Sequence, residues 1–254
     1  MVNICGRFAL DDKVNALITE FVRAGGRPND WQPGAEADDP SSWRHAFNRF
    51  NVKPTQSVPI IFEGKVGDDE VQRRAELARW SLVPSWSKTL TSKYPTFNAR
   101  IETAAEKPSF KASVKSKRAI IFSTGWYEWQ DQGGPKKVPY FHHAPDYSPL
   151  AFSGLYSWWK DPAATGEDDG WVLTATILTT DSIPSLSVHD RAPALLPRSL
   201  REHWIDPTVV GDQQLLDEVR DAAAAEAEAI IVDEVAPIPA NGDGRELIEP
   251  VHAS

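Results

Sequence analysis

The chain has 254 residues, 41% of them hydrophobic, with one cysteine, ten tryptophans and twenty prolines. That length can bury a sizeable core, the lone cysteine excludes an internal disulfide, and no stretch approaches the roughly eighteen apolar residues of a membrane span. A formal net charge of −9 argues against a surface that coats nucleic acid throughout.

Met1 to Leu10 lacks the apolar core of a secretory signal, so a cytoplasmic location is expected. Asp11 to Ala24 has Val14, Leu17, Ile18, Phe21 and Val22 at helical spacing and stops at Gly25-Gly26, which predicts a helix. Arg27 to Ala46 is polar and rich in Pro, Asp and Ser, a long loop. Val58 to Phe62 reads as a strand, Glu63 to Arg74 as a charged hairpin or loop, and Leu77 to Val83 as a strand ending at Pro84. Ala119 to Phe122 is too short for a helix. A turn at Ser123-Thr124-Gly125 leads into a strand over Trp126 to Trp129. Val138–His143, Leu150–Tyr156 and Trp171–Thr179 are further strands. Ser199 with Glu202 forms a capping-box pattern, and Asp212 to Ala229 is an Ala- and acid-rich helix. Strands and helices do not alternate regularly, so the expected fold is α+β: one domain on mixed or antiparallel sheet with flanking helices.

Charge is unevenly placed. Lys88 to Arg118 holds eight basic and two acidic residues, a net of +6, which leaves −15 for the rest of the chain. A local basic face of this kind could hold a few phosphates; a solvated lysine-rich surface fits the same pattern.

Five positions could carry chemistry. Cys5 opens Cys5-Gly6-Arg7-Phe8. If Met1–Ile4 were removed, it would present an α-amine and a thiol on adjacent carbons. Such a group condenses with an aldehyde to a Schiff base and closes to a thiazolidine, and an α-amine pKa of about 8 leaves a useful share unprotonated near neutrality. A small buried hydrophobe is the alternative. Glu128 lies among aromatics in Gly125-Trp126-Tyr127-Glu128-Trp129; on an inner sheet face its pKa would rise toward the range for proton transfer, on a wet face it would do nothing. His189, in Val188-His189-Asp190-Arg191, could be a general acid or phosphate donor, or a surface residue. Asn98 and Arg100 are two residues apart, so an extended segment would face them the same way, Asn98 toward a nucleophile or carbonyl and Arg100 toward a phosphate. No Cys/His cluster suits zinc, and there is no phosphate-binding Gly-rich loop.

In order along the chain, Cys5–Phe8, Arg49–Thr55, Trp80–Trp86, Asn98–Thr103, Gly125–Trp129, His189–Pro193 and Glu246–Pro250 resemble the motifs of the SOS-response-associated peptidase (SRAP) family, the abasic-site-processing proteins. The resemblance implies a single SRAP domain over residues 1–254 that binds single-stranded DNA and cross-links to abasic sites through a thiazolidine. It implies Cys5 as nucleophile with Asn98, Glu128 and His189 as partners, and Arg7, Arg49, Asn51, Trp80, Arg100 and Arg191 on the DNA. It also implies SRAP-type autoproteolysis and lyase activity, no cofactor, no metal and a monomer. Two features depart from the family. Four residues precede Cys5, where typical members begin Met-Cys, so Met1–Ile4 are expected to be a removable leader. The proline-rich Val235–Asn241 replaces an Asn-rich stretch, and no contact is assigned to it. A cysteine peptidase or amidase using Cys5, His189 and Glu128, and a non-covalent single-strand binding module, are the competing readings.

Overall fold

Two antiparallel-rich sheets share one core in the computed structural model, which describes residues 6–24, 46–66, 70–134, 136–166 and 169–251. Cys5 lies outside the described residues, and so does the expected loop Arg27–Ala46 apart from Ala46.

The strands in chain order are β1 (Phe8–Leu10), β2 (Arg49–Val52), β3 (Ser57–Val66), β4 (Glu70–Trp80), β5 (Asn98–Arg100), β6 (Arg118–Ser123), β7 (Gly125–Gln130), β8 (Val138–His143), β9 (Leu150–Lys160), β10 (Trp171–Asp181), β11 (Arg191–Pro193) and β12 (Ile231–Glu234). The helices are α1 (Asp12–Ala24), α2 (Lys111–Ser116), α3 (Arg201–Ile205) and α4 (Gln213–Ala227). The smaller sheet runs β12-β8-β7-β1-β2. In the larger sheet the order is β11-β10-β4-β3-β6-β9, and an extra β9–β10 pairing closes the circuit from β10 through β4, β3 and β6 back to β9. Closure leaves those five strands little open edge for a second chain to pair with.

The apolar runs explain the long strands. β6 is buried at every residue and β10 at all but its ends, the pattern of strands covered on both faces. In α1, Val14, Ile18 and Val22 are buried, and the Asp11 carboxylate caps the helix by accepting from the backbone N–H groups of Lys13 and Val14 at 3.1 and 3.2 Å.

Several expectations shift. In the expected hairpin or loop Glu63–Arg74, the described residues belong to the long antiparallel pair β3–β4, with Phe62 opposite Arg74 and Glu63 opposite Arg73. The strand expected over Leu77–Val83 starts at Glu70 and ends at Trp80, because the chain leaves the sheet there. Glu202 forms no capping box: α3 has no side-chain cap, and the Glu202 carboxylate binds the Arg73 guanidinium instead. Asp212 is the cap of α4, accepting from Leu215 N–H at 3.0 Å.

One topological detail places the site. β4 pairs in parallel with the first half of β10, Thr174 with Arg79 and Ala175 with Trp80. The chain then loops out and returns as β5 along the second half, Ile177 with Asn98 and Thr179 with Arg100. Leu82 N–H to Thr96 O at 3.1 Å closes the neck of that loop. Beyond it, β11 pairs with the end of β10, Thr179 with Pro193 and Asp181 with Arg191. Asn98, Arg100 and the His189–Arg191 corner thus gather around one strand.

Candidate functional site

β1 lies between β7 and β2, with Phe8 opposite Trp126 on one side and Val52 on the other. The pairing continues toward the amino terminus, since Tyr127 N–H donates to Arg7 O at 3.0 Å. This carries the buried Gly6 along the stretch of β7 that holds Glu128. Alternation turns Tyr127 and Trp129 to one face, where they join Ala9, Phe50 and Phe141 in a small second core. Trp126 and Glu128 take the other. Glu128 is 2% exposed, so of the two positions open to it the inner face is the one observed.

An aromatic chain ties this strand to Asn98. Trp126 meets Phe152 edge-on at 6.0 Å, Phe152 meets Phe8 at 6.3 Å, Phe8 meets Trp80 at 4.9 Å and Trp80 meets Phe97 at 5.8 Å. Edge-to-face contacts of this kind fix ring orientation as well as burying area. The Trp80 indole N–H also donates to Phe97 O at 2.8 Å, one residue before Asn98. Trp80 therefore does not stack on DNA: it is fully buried and offers no face to a base. The most exposed aromatics among the described residues are Trp86, 66% exposed, and Tyr94, 65% exposed, both on the loop between β4 and β5. Of the two tryptophans in the Trp80–Trp86 motif, Trp80 is buried and Trp86 is exposed.

His189 precedes β11. Its Nδ1 lies 2.6 Å from Asp190 Oδ1 and accepts from the Arg191 backbone N–H at 3.1 Å. Burial lowers its pKa; Asp190 opposes the shift and Lys137 adds to it. Nδ1 thus faces both the Asp190 carboxylate and the Arg191 N–H, and the ring is held in place at that nitrogen.

Arg191 does not offer a bare charge. Its guanidinium binds both oxygens of Glu102 at 2.9 Å, the Asp181 carboxylate, and Thr179 O at 2.6 Å. Burial pulls its pKa down, but the bonds to Glu102 and Asp181 outweigh that and the net shift is upward. Arg7 differs: Nη1 donates to Asn51 Oδ1 at 2.9 Å and the guanidinium lies 5.4 Å from the Trp129 ring centre. No carboxylate pairs with it among the described residues. Asn51 is itself buried, so its amide serves the protein rather than a nucleotide. Arg49 is shared among Ser57 O, Gln56 Oε1 and, at 3.9 Å, Asp243.

The family model for SOS response associated peptidase (SRAP) matches residues 4–236. The chain belongs to the SRAP family. It is 31% identical to the abasic site processing protein YoqW of Bacillus subtilis over 247 residues, 97% of this chain and 99% of that one. It is 27% identical to YedK of Escherichia coli over 253 residues, 98% and 100% of the two chains. With HMCES of Xenopus tropicalis the identity is 32% over 235 residues, 80% of this chain and 66% of that one. A crystal structure of a Bacteroides thetaiotaomicron protein shares the fold, with a TM-score of 0.66 at 23% identity over 98% of this chain and 100% of that one.

In this SRAP domain six of the eight basic residues of the segment are on the surface, and Lys117 is half-buried. Lys88, Lys93, Arg100, Lys107, Lys111 and Lys115 are exposed. Arg118 is not: its guanidinium donates to five carbonyls, those of Val114, Lys115, Trp204, Asp206 and Val209, at 2.6–2.9 Å. No helix among the described residues is long and apolar enough to cross a membrane, and no group of three His, Cys, Asp or Glu among them could hold a metal ion.

Proposed function

We propose that this SRAP protein traps abasic sites in single-stranded DNA by forming a thiazolidine through Cys5. Its relatives YoqW, YedK and HMCES carry the name abasic site processing protein. The observation that carries the reading is the course of β1. Pairing with β7 runs through Arg7 to a buried Gly6, beside the strand of a carboxyl that is 2% exposed, and Cys5 is the next residue. Asn98 lies on β5 and His189 just before β11, two strands that pair with β10.

The balance of the reaction is simple. The Cys5 α-amine adds to the ring-opened sugar aldehyde, and the adduct loses one water to give a Schiff base. The thiol then adds across the C=N bond, its proton ending on nitrogen. Glu128 moves protons during addition and dehydration, Asn98 orients the carbonyl, and His189 assists ring opening and the reverse reaction. Arg7 and Arg100 hold phosphates, and Trp86 offers a face for a base. The step requires a free amine, so Met1–Ile4 are removed first, by hydrolysis of the Ile4–Cys5 bond with Cys5 as nucleophile.

Intact-mass measurement after mixing with an abasic single-stranded oligonucleotide tests this. The expected species begins at Cys5 and weighs the sum of protein and DNA less one water. Peptide turnover without an adduct would favour an amidase; binding with neither would favour a non-covalent module. Normal cross-linking by a chain beginning at Met1 would overturn the amine requirement.

A further inference from the structure

The residues of β2 grip the end of the segment to which no contact was assigned and the two residues that follow it. Arg49, Asn51 and Lys53 alternate along the strand and its extension, and all three reach Pro239–Asp243. Asn51 N–H donates to Asp243 Oδ1 at 2.7 Å, Lys53 Nζ donates to Ala240 O, and Arg49 approaches Asp243. Asn51 Nδ2 donates to Pro239 O at 3.2 Å and to Gly242 O at 2.7 Å. These two carbonyls decide which way the amide points. Reversed, its oxygen would face two other oxygens, an unmade buried pairing that costs on the order of a kcal/mol or more. So Oδ1 faces Arg7 and accepts from Nη1 at 2.9 Å. A neutral acceptor fixes the guanidinium without cancelling its charge, which a carboxylate at the same place would do.

We infer that Asn51 is a positioning residue for Arg7 and that the segment Pro239–Asp243 sets the orientation of Asn51. The consequence for DNA rests on the reading above, in which Arg7 meets a phosphate. The geometry at Arg7 does not, so the test has two arms.

The first arm uses the DNA-free protein. The Arg7 side-chain Nε–H resonance, assigned by its loss in Arg7→Lys, is followed by NMR. In Asn51→Ala it should move to the position of an unrestrained arginine. Because Asn51 is buried and its loss could perturb folding, Asp243→Ala, at an exposed residue, is a second route and should move the resonance the same way. Asp243→Asn keeps the acceptor for Asn51 N–H and should leave it in place. An unmoved resonance in both alanine variants would overturn the inference. The second arm is a double-mutant cycle on a single-stranded oligonucleotide in a Cys5→Ala background. Asn51→Ala should weaken binding about three- to ten-fold, and Arg7→Ala with Asn51→Ala should bind no worse than Arg7→Ala alone. Additive losses would mean that Asn51 touches DNA itself. A parent that binds no single strand would sink the proposed function and leave the first arm to decide the positioning role.

Discussion

The two sides of the site hold their arginines in opposite ways. On the β1–β7 side, Arg7 has an amide oxygen and an aromatic face as partners, so it keeps a charge that a phosphate can meet. At the β10–β11 corner, Arg191 is wrapped by Glu102 and Asp181 and tied to Thr179 O. Its charge is already answered, and it braces the turn that carries His189. The difference teaches that an arginine in a motif is not evidence for a phosphate contact; its other partners decide. Chemistry on the first side should fail with the fold intact, whereas damage at the corner should appear first as lost stability.

The largest expected effect is on the first side. Glu128→Gln removes the carboxylate beside β1 and should slow cross-linking by on the order of 10²–10⁴, with single-strand binding and melting temperature close to the parent. His189→Ala should act instead on ring opening and on adduct reversal. Quenched time courses of adduct formation and release separate the two; unchanged rates in both variants would remove the assignment.

Acid should damage the first side through a residue the sequence did not single out. His142 pairs with Trp126 across β7 and β8 and stacks on it at 4.7 Å. It is 1% exposed, and burial lowers its pKa from 6.5 to about 4. Its Nδ1 and the Trp126 Nε1 have no hydrogen-bond partner among the described residues. The folded pKa lies below the unfolded one, so below about pH 6.5 the unfolded chain takes a proton that the folded chain refuses. The His142 contribution to stability is therefore complete above pH 6.5 and is lost as pH falls toward 4, about 3 kcal/mol in all. His142→Phe keeps the stack and should flatten that part of a stability–pH curve from urea titrations. An equally steep curve in the variant would place the acid sensitivity elsewhere.

The corner predicts the reverse pattern. Arg191→Leu leaves Glu102 and Asp181 facing each other without a cation and takes one of two donors from Thr179 O, which keeps the Ile101 N–H. The expected cost is about 2 kcal/mol, less than for a fully buried pair because both carboxylates reach solvent. Denaturant midpoints should show it. A variant as stable as its parent would mean that the carboxylates do not brace the turn.

Much of this was legible in sequence, and the misses share a cause. The apolar runs of β6, β8, β9 and β10 announce themselves because both faces are buried. The three- and four-residue strands β1, β2, β5, β11 and β12 do not, since distant partners create them: Asn98 is a strand residue only because Ile177 lies beside it. Glu202 looked like a cap until Arg73, far away in sequence, claimed it. The aromatics around Glu128 left its burial open, since either face of the strand fitted them. The neutralisation of Arg191 by Glu102, and the choice between Trp80 and Trp86, could not be read either, because composition is the same either way and only the fold assigns inside and outside.

The smallest effect sharpens the comparison most. If Arg7 and Arg100 each meet one phosphate of a single strand, each should release counterions on binding, and log K should fall with log[salt] by about 0.7 per contact. Arg7→Ala and Arg100→Ala should therefore each reduce the slope by about 0.7 and weaken binding most at low salt. Arg191→Lys keeps a cation between Glu102 and Asp181, so the corner should hold and the slope should stay at the parent value. The measurement is a salt series by fluorescence anisotropy in the Cys5→Ala background, which cannot cross-link, with single- and double-stranded oligomers side by side. The overall charge of −9 repels DNA away from the basic face, so the footprint should be short and the parent slope shallow. Paired DNA should bind more weakly, since flipping out a nucleotide costs a few kcal/mol. A slope that drops for Arg191→Lys as much as for Arg7→Ala would show that the carboxylates release their arginine to DNA, and the contrast between the two sides would be gone.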